Sequence, residues 1–219
     1  MPPAADPAPG PSPDRAPAVS SEVSVDVLAL RYERSTRRLR LGLHRRTVGP
    51  FAGELALPGV LLRRGERIRD AAARALAKID VRSDAAGQLV TFDEPNRDPR
   101  GPTLSIATWA VTTDAGSATW QAFDELPALA FDHCRIVADC RPRLAGMLWR
   151  DPVFTRRLTG DEFLATDALA LQAELAGTAP DRGNLNRTLA GLPGLTRTDR
   201  LASTGRGRPG TVWAWSPRT

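Results

Sequence analysis

The sequence predicts an α+β protein, a mixed-sheet domain followed by a small helical domain closed by a hairpin. Three observations lead there. From Val23 to about residue 148, segments of period two and period 3.6 alternate without a strict βαβ rhythm. After Trp149–Asp151 the order becomes helix, turn, helix, hairpin. The length of 219 residues, 42% of them hydrophobic, suffices for one large domain or two modest ones.

Residues 1–21, MPPAADPAPGPSPDRAPAVSS, are dominated by proline and alanine and are expected to be a disordered tail without a secretory signal. The rest is expected to divide into a ligand-binding domain over 22–149 and a small domain over 150–219. VSVDVLAL (23–30) is rich in β-branched and aliphatic residues, and RLRLGL (38–43) alternates at period two, with ERST (33–36) as the turn between. Glu66 to Ile79 reads as a helix whose apolar face is Ile68, Ala71, Ala72, Ala75, Leu76 and Ile79. QLVTF (88–92) and TLSIATWAV (103–111) read as strands, and WQAFDELPALAFDH (120–133) as a loop leading into a helix over about 131–148. In the second unit the spacing predicts a helix over 160–176, a turn at GTAPDRG (177–183) and a short helix over 184–190. The strands LTRT (195–198) and TVWAW (211–215) then flank a basic loop, DRLASTGRGRPG. Trp213 and Trp215 alternate on the last strand and are expected in the small domain's core.

The formal charge of +5 and pI near 10.4 permit a nucleic-acid partner without requiring one. Of 30 basic side chains, Lys78 alone is lysine. No apolar run approaches the roughly 18 residues of a membrane span, so no membrane association is expected. Cys134 and Cys140 are six apart on an expected helix, about 9 Å along its axis and on different faces, too far to bridge. Reduced thiols in a cytoplasmic protein are the expectation, and with histidine only at 44 and 133 a zinc site is not expected.

Gly53 to Val81, GELALPGVLLRRGERIRDAAARALAKIDV, resembles the Nudix signature G-x5-E-x7-R-E-U-x-E-E-x-G-U, with U a bulky aliphatic. Glu66 keeps the first acidic position, Arg74 the basic one and Leu76 the aliphatic one. Val60 stands for the glycine, Ala75 for the glutamate after the arginine, and Lys78 and Ile79 for the central Glu-Glu pair. In that family the pair binds the divalent metals that polarise a pyrophosphate, and hard cations need oxygen ligands. The resemblance thus implies a Nudix-like α/β/α sandwich without the usual catalysis or a metal cofactor.

Further segments narrow the resemblance to the ADP-ribose-binding branch. Arg97, Asp98, Pro99, Arg100 and Gly101 match its R-D-P-R-G loop, and RRTVGPFAGELALPG (45–59) is similar to its strand-to-box connection, with Arg46 at the basic position. Leu55, where this branch commonly has tryptophan, and Val60 are departures that bear on pocket shape. In many members a winged helix-turn-helix follows, as in the NrtR-type Nudix-related transcriptional regulators. The implied function is a repressor linked to NAD metabolism, sensing ADP-ribose or a related nucleotide and binding an operator on double-stranded DNA as a homodimer. The helix over 131–148 would carry the coupling between the two domains.

Residue chemistry supplies the candidate sites. Arg46, Arg97 and Arg100 offer bidentate donors to phosphate oxygens, Pro99 stiffens their loop, and Glu66 can accept a hydrogen bond. An ordinary polar turn at Arg97–Asp98 stands as the other reading of that loop. For DNA, Arg182, Asn184, Asn186 and Arg187 sit where a recognition helix meets bases, and Arg206 and Arg208 occupy the tip of the wing, suited to a narrow minor groove or to phosphates. A solvated hairpin tip is the alternative there. Two rival functions stand: a divergent Mg2+-dependent hydrolase of nucleoside diphosphate derivatives, drawing carboxylates from Glu66 with Glu54, Asp70 or Asp93, and a ligand-binding adaptor whose winged helix contacts protein.

Overall fold

The computed structural model describes residues 20–202 and 210–217. The fold is α+β. Strands β1 (Glu22–Glu33), β2 (Arg38–Arg45), β3 (Leu55–Ala56) and β4 (Gly59–Leu61) precede helix α1 (Ile68–Leu76). Strands β5 (Ala86–Phe92), β6 (Thr103–Val111) and β7 (Thr119–Ala122) lead to helix α2 (His133–Met147). The C-terminal part comprises α3 (Pro152–Thr159), β8 (Glu162–Leu164), α4 (Ala165–Ala176), α5 (Arg182–Ala190), β9 (Leu195–Ala202) and β10 (Gly210–Trp215).

β1 is the spine. It pairs antiparallel with β2 and β4 and parallel with β6, in a seven-stranded sheet of order β3-β2-β1-β6-β5, with β7 added on β2. Its period of two sends Val25, Val27 and Ala29 to one face and Leu28 and Leu30 to the other, all fully buried. The first face is covered by α1, whose Ala71, Ala72 and Ala75 are small enough for the helix to lie close on the sheet. The second is covered by α2, through Ile136, Val137, Cys140 and Leu144.

That second core runs on beyond α2 into the C-terminal part. Leu28 and Leu41 belong to the same apolar cluster as Phe154, Leu171, Leu189 and Trp213 of the C-terminal part. Trp109 of β6 meets Phe154 of α3 edge to face at 5.0 Å. Burying a side chain of this size contributes on the order of 1.5–3 kcal/mol, so the two parts are held by apolar contact as well as by polar bridges. Among those bridges, buried Asp167 accepts from Tyr32 Oη at 3.1 Å, and Arg38 Nε pairs with Glu174 at 2.8 Å. Trp213 is buried and Trp215 half-buried against this shared core, which serves both parts of the chain.

Several boundaries differ from the sequence expectations. The box helix begins at Ile68, not Glu66, because the Glu66 carboxylate accepts the Arg63 N–H at 2.8 Å and so belongs to the preceding turn. Residues 120–133 are not all loop: Thr119–Ala122 forms β7 and Phe123–Glu125 a helical turn, and the following helix runs His133–Met147. The helix expected over 160–176 is split. Gly160, at φ 69°, ends α3 in a conformation open to glycine. Glu162–Leu164 pairs with β10, and the Asp167 carboxylate accepts the Leu164 N–H at 3.1 Å to start α4 at Ala165. Helix α3 escaped sequence reasoning although its signal is local: Asp151 caps Val153 and Phe154 at 2.9 and 3.0 Å, with Pro152 at the first helical position. The short helix begins at Arg182, capped by Asp181, and β9 extends past the expected LTRT to Ala202. Among the described residues, no helix is long and apolar enough to cross a membrane.

Candidate functional site

Where the box meets the R-D-P-R-G loop and the start of α2, the sheet edge opens into a cavity of about 120 Å³. Its walls carry Asp26 and Ser24 of β1, His44 and Arg46 at the end of β2, and Gly59, Val60 and Leu61 of β4. Lys78, the loop residues Arg97, Asp98 and Arg100, and Phe131 and His133 before and at the start of α2 complete it. The only lysine and both histidines of the chain therefore line one pocket.

Close approach of β4 to β1 shapes the floor. A Cβ on Gly59 would lie 2.0 Å from Asp26 Oδ1, so this position needs glycine. Val60, at the position where the signature has glycine, is buried in the α1-side core. The Asp26 carboxylate accepts from Ser24 Oγ at 3.0 Å and from Ser105 Oγ at 2.5 Å. Buried His133 accepts the Leu57 N–H on Nδ1 at 2.9 Å, which leaves its proton on Nε2, 3.7 Å from Asp26 Oδ1. Burial pushes the His133 pKa down, in keeping with a neutral ring.

The three arginines expected to face phosphate differ sharply. Arg97, its side chain 4% exposed, gives a bidentate pair to Asp132 at 3.0 and 2.7 Å and lies 3.8 Å from Asp26. It lines the cavity, but its guanidinium is already engaged. Arg100 makes a second bidentate pair with Asp98, at 2.9 and 2.6 Å, which holds the Asp98 carboxyl below its ordinary range. Among the described residues, Arg46 bonds only to backbone carbonyls, Pro50 at 2.7 Å and Val48 at 3.3 Å, and it stacks over the Phe131 ring at 4.7 Å. Burial and then Arg100 push its pKa down.

Glu66 does not line the cavity. Its carboxylate receives Arg74 Nε at 3.0 Å and Nη2 at 2.8 Å, and with the Arg63 N–H these hydrogen bonds lower its pKa to about 2. Arg74 also donates to the Leu61 carbonyl at 2.8 Å, so the two retained polar box residues pin the β4–α1 turn to the helix. The two positions that align with the signature's Glu-Glu pair diverge: Ile79 is fully buried in the apolar core, while Lys78 enters the pocket and donates to the Gly59 carbonyl at 2.5 Å. Glu54, Asp70 and Asp93 are exposed and do not line the cavity. Among the described residues, no group of three or more His, Cys, Asp or Glu side chains is placed to hold a metal ion. An ammonium and an isoleucine at these positions do not fit a divalent cation.

At the other end of the molecule, Leu185 and Leu189 anchor α5, leaving Arg182, Asn184, Asn186 and Arg187 exposed. The Asp181 carboxylate caps the Asn184 N–H at 2.7 Å, and Arg187 donates to Asn184 Oδ1 at 2.7 Å. Arg206 and Arg208 lie outside the described residues. The pocket residues that sequence reasoning did not select, Asp26, His44, Lys78, Phe131 and His133, had one legible signal: three of them are the chain's single lysine and its two histidines.

No protein-family model matches the chain. An ADP-ribose pyrophosphatase of Methanocaldococcus jannaschii is 32% identical over 106 residues, 44% of this chain, and the match spans 63% of that relative's length. A Shewanella oneidensis NrtR structure complexed with a 27mer DNA superposes with a TM-score of 0.70 at 24% identity, covering 89% of this chain and 93% of that one. The NUDIX domain of the same protein, complexed with ADP ribose, superposes with a TM-score of 0.50 at 23% identity over 60% of this chain and 94% of that one. With its Nudix-like sheet domain and the small helical part that follows, this chain has the fold of the NrtR-type, Nudix-related proteins.

Proposed function

We infer that this protein is a cytoplasmic, DNA-binding transcriptional regulator whose degenerate Nudix-like domain senses ADP-ribose or a related nucleotide, in connection with NAD metabolism. The observation that carries the reading is Lys78, an ammonium on the pocket wall where working hydrolases place a metal-binding carboxylate. A cationic pocket without a carboxylate cage suits binding an anionic nucleotide rather than cleaving it. The fold shared with a DNA-complexed NrtR and the exposed polar face of α5 support the DNA-binding half. In this reading α4, α5 and the β9–β10 hairpin act as a winged helix, and a homodimer presents two recognition helices to a palindromic operator.

A ligand changes DNA affinity only through unequal affinity for the DNA-competent and DNA-incompetent arrangements. Helix α2 is suited to couple them. Asp132, just before its first turn, holds the Arg97 side chain and His133 accepts the Leu57 backbone N–H, while Arg141 further along donates to the Glu174 carbonyl at the end of α4, at 2.6 and 3.1 Å.

Duplex selection by the purified protein, with and without ADP-ribose, tests the proposal together with an assay for ADP-ribose turnover in Mg2+ or Mn2+. The expected result is a selected duplex whose affinity responds to nucleotide, with no turnover. Turnover abolished by Glu66→Gln would favour the hydrolase, and no duplex binding at low salt would leave the adaptor. Arg206→Ala with Arg208→Ala is expected to weaken binding to most sequences and to reduce the salt slope by about one for each phosphate that is no longer neutralised.

A further inference from the structure

We propose that Lys78 is the pocket's principal phosphate-binding group and takes the place of a divalent cation, so that a phosphate or pyrophosphate group binds here without metal. The site carries four basic side chains, but two are neutralised by carboxylates at bidentate distance, Arg97 by Asp132 and Arg100 by Asp98. Among the described residues, Lys78 and Arg46 have no carboxylate within 4.0 Å, and their hydrogen-bond partners are carbonyl oxygens. A carbonyl satisfies a donor without cancelling its charge, and uncompensated charge in a partly buried cavity favours an anion. Burial and then Arg46 push the Lys78 pKa down, and Asp26 opposes that shift only in part. The neighbouring His44 is likewise pushed down, by burial and then by Lys78, so it adds no negative charge that would cancel the ammonium.

The geometry favours lysine for this work. An ammonium is a compact point charge with three donors. One is spent on the Gly59 carbonyl, whose position is set by the close contact of β4 with Asp26, and two are left for ligand oxygens. Arg46, steadied by Phe131, provides the second uncancelled charge on the same wall. The cavity of about 120 Å³ has room for about four waters at liquid density. That is enough for the phosphate portion of a ligand, while the rest of a nucleotide must extend through the mouth.

The identity of the ligand rests on the nucleotide-sensing reading above, whereas the anion site does not, and the two are separable because Lys78 is the chain's only lysine. The full-length protein labelled with 13C-lysine has a single Lys side-chain signal. In EDTA, titration with inorganic pyrophosphate and, separately, ADP-ribose should shift that signal and raise its pKa, because a bound anion favours the protonated amine. Calorimetry should give the same affinity with and without EDTA. Lys78→Met should weaken both ligands about tenfold or more, the scale of one charge-assisted hydrogen bond. Arg69→Ala, on the exposed side of α1, serves as the control and should change neither. Pyrophosphate binding that moves the lysine signal, with no ADP-ribose binding, supports the anion site and overturns the nucleotide reading. ADP-ribose binding with an unmoved lysine signal and an unchanged Lys78→Met affinity overturns the proposal and leaves that reading intact. A requirement for Mg2+, or failure of both ligands to bind, also overturns it.

Discussion

The pocket and the exposed face of α5 present the same side-chain chemistry in opposite physical states. In the pocket, Arg97 is almost wholly removed from water and locked to Asp132 by two hydrogen bonds. On α5, Arg187 is exposed and leans on Asn184 through one. Burial makes an arginine choose a permanent partner, because an unpaired charge inside costs several kcal/mol. Exposure leaves it available, because water solvates it at little cost and a local contact holds it only weakly. A basic residue facing a ligand is therefore found by asking which cations remain uncancelled. By that criterion Lys78 and Arg46 lead in the pocket, and Arg182 and Arg187 on α5.

The largest expected effect breaks the comparison at its buried end. Arg97→Ala should destabilise the fold by about 3–5 kcal/mol, since it leaves Asp132 half-buried and unpaired. Arg187→Ala should stay within about 0.5 kcal/mol. Urea unfolding of both variants measures this. A small loss for Arg97→Ala would mean that its role is ligand contact after all.

Next in size is binding at the exposed end. If α5 reads bases, Asn186→Ala or Arg187→Ala should cost on the order of 1–3 kcal/mol at a single operator position and leave folding unaltered. Mobility shifts on a selected operator and on scrambled DNA at several salt concentrations separate that loss from a uniform one. Equal weakening on both duplexes would reassign these side chains to phosphates.

Glu66 lies between the two extremes, half-buried and firmly paired. Its carboxyl is lowered from an ordinary 4.5 to about 2 by Arg74 and the Arg63 N–H. The stability it contributes is present above the ordinary value and is lost as pH falls through the lowered one. Glu66→Gln should therefore be less stable than the parent at neutral pH, and the two should converge as pH falls from 4.5 towards 2. A constant gap across that window would mean the interaction does not depend on ionisation.

The smallest effect is chemical rather than energetic. Cys134 is exposed, whereas burial pushes the Cys140 thiol up to about 12. Native protein at pH 8 should take up one equivalent of a thiol reagent quickly and a second only on unfolding. Two fast thiols would show that α2 opens readily over the sheet.

Much of the fold was legible because its signals are local. The apolar run of Thr103–Val111 predicts β6 to the residue, and the face Ala71, Ala72, Ala75, Leu76 and Ile79 lies in the core as periodicity requires. The signature spacing also located the pocket's neighbourhood, since Lys78 and the R-D-P-R-G loop both line it. Short local signals, such as the Asp151–Pro152 start of α3, are outweighed in the sequence by the longer periodic runs around them. Others were overridden by pairing at a distance: nothing within 160–164 announces a strand until β10 is beside it.

The sequence by itself determined the α+β class, the elements whose periodicity is unbroken, and the signature-like spacing that sets Lys78 and Ile79 where the Nudix pattern has two glutamates. Only the tertiary structure decided what those two residues do. It put Ile79 into the core and Lys78 into the cavity, although they are neighbours in the chain. It spent Arg97 on Asp132, 35 residues away, and left Lys78 with a carbonyl 19 residues back. Periodicity follows from backbone geometry and can be read along the chain. Which charge cancels which depends on a few ångströms between segments that only the folded sheet brings together.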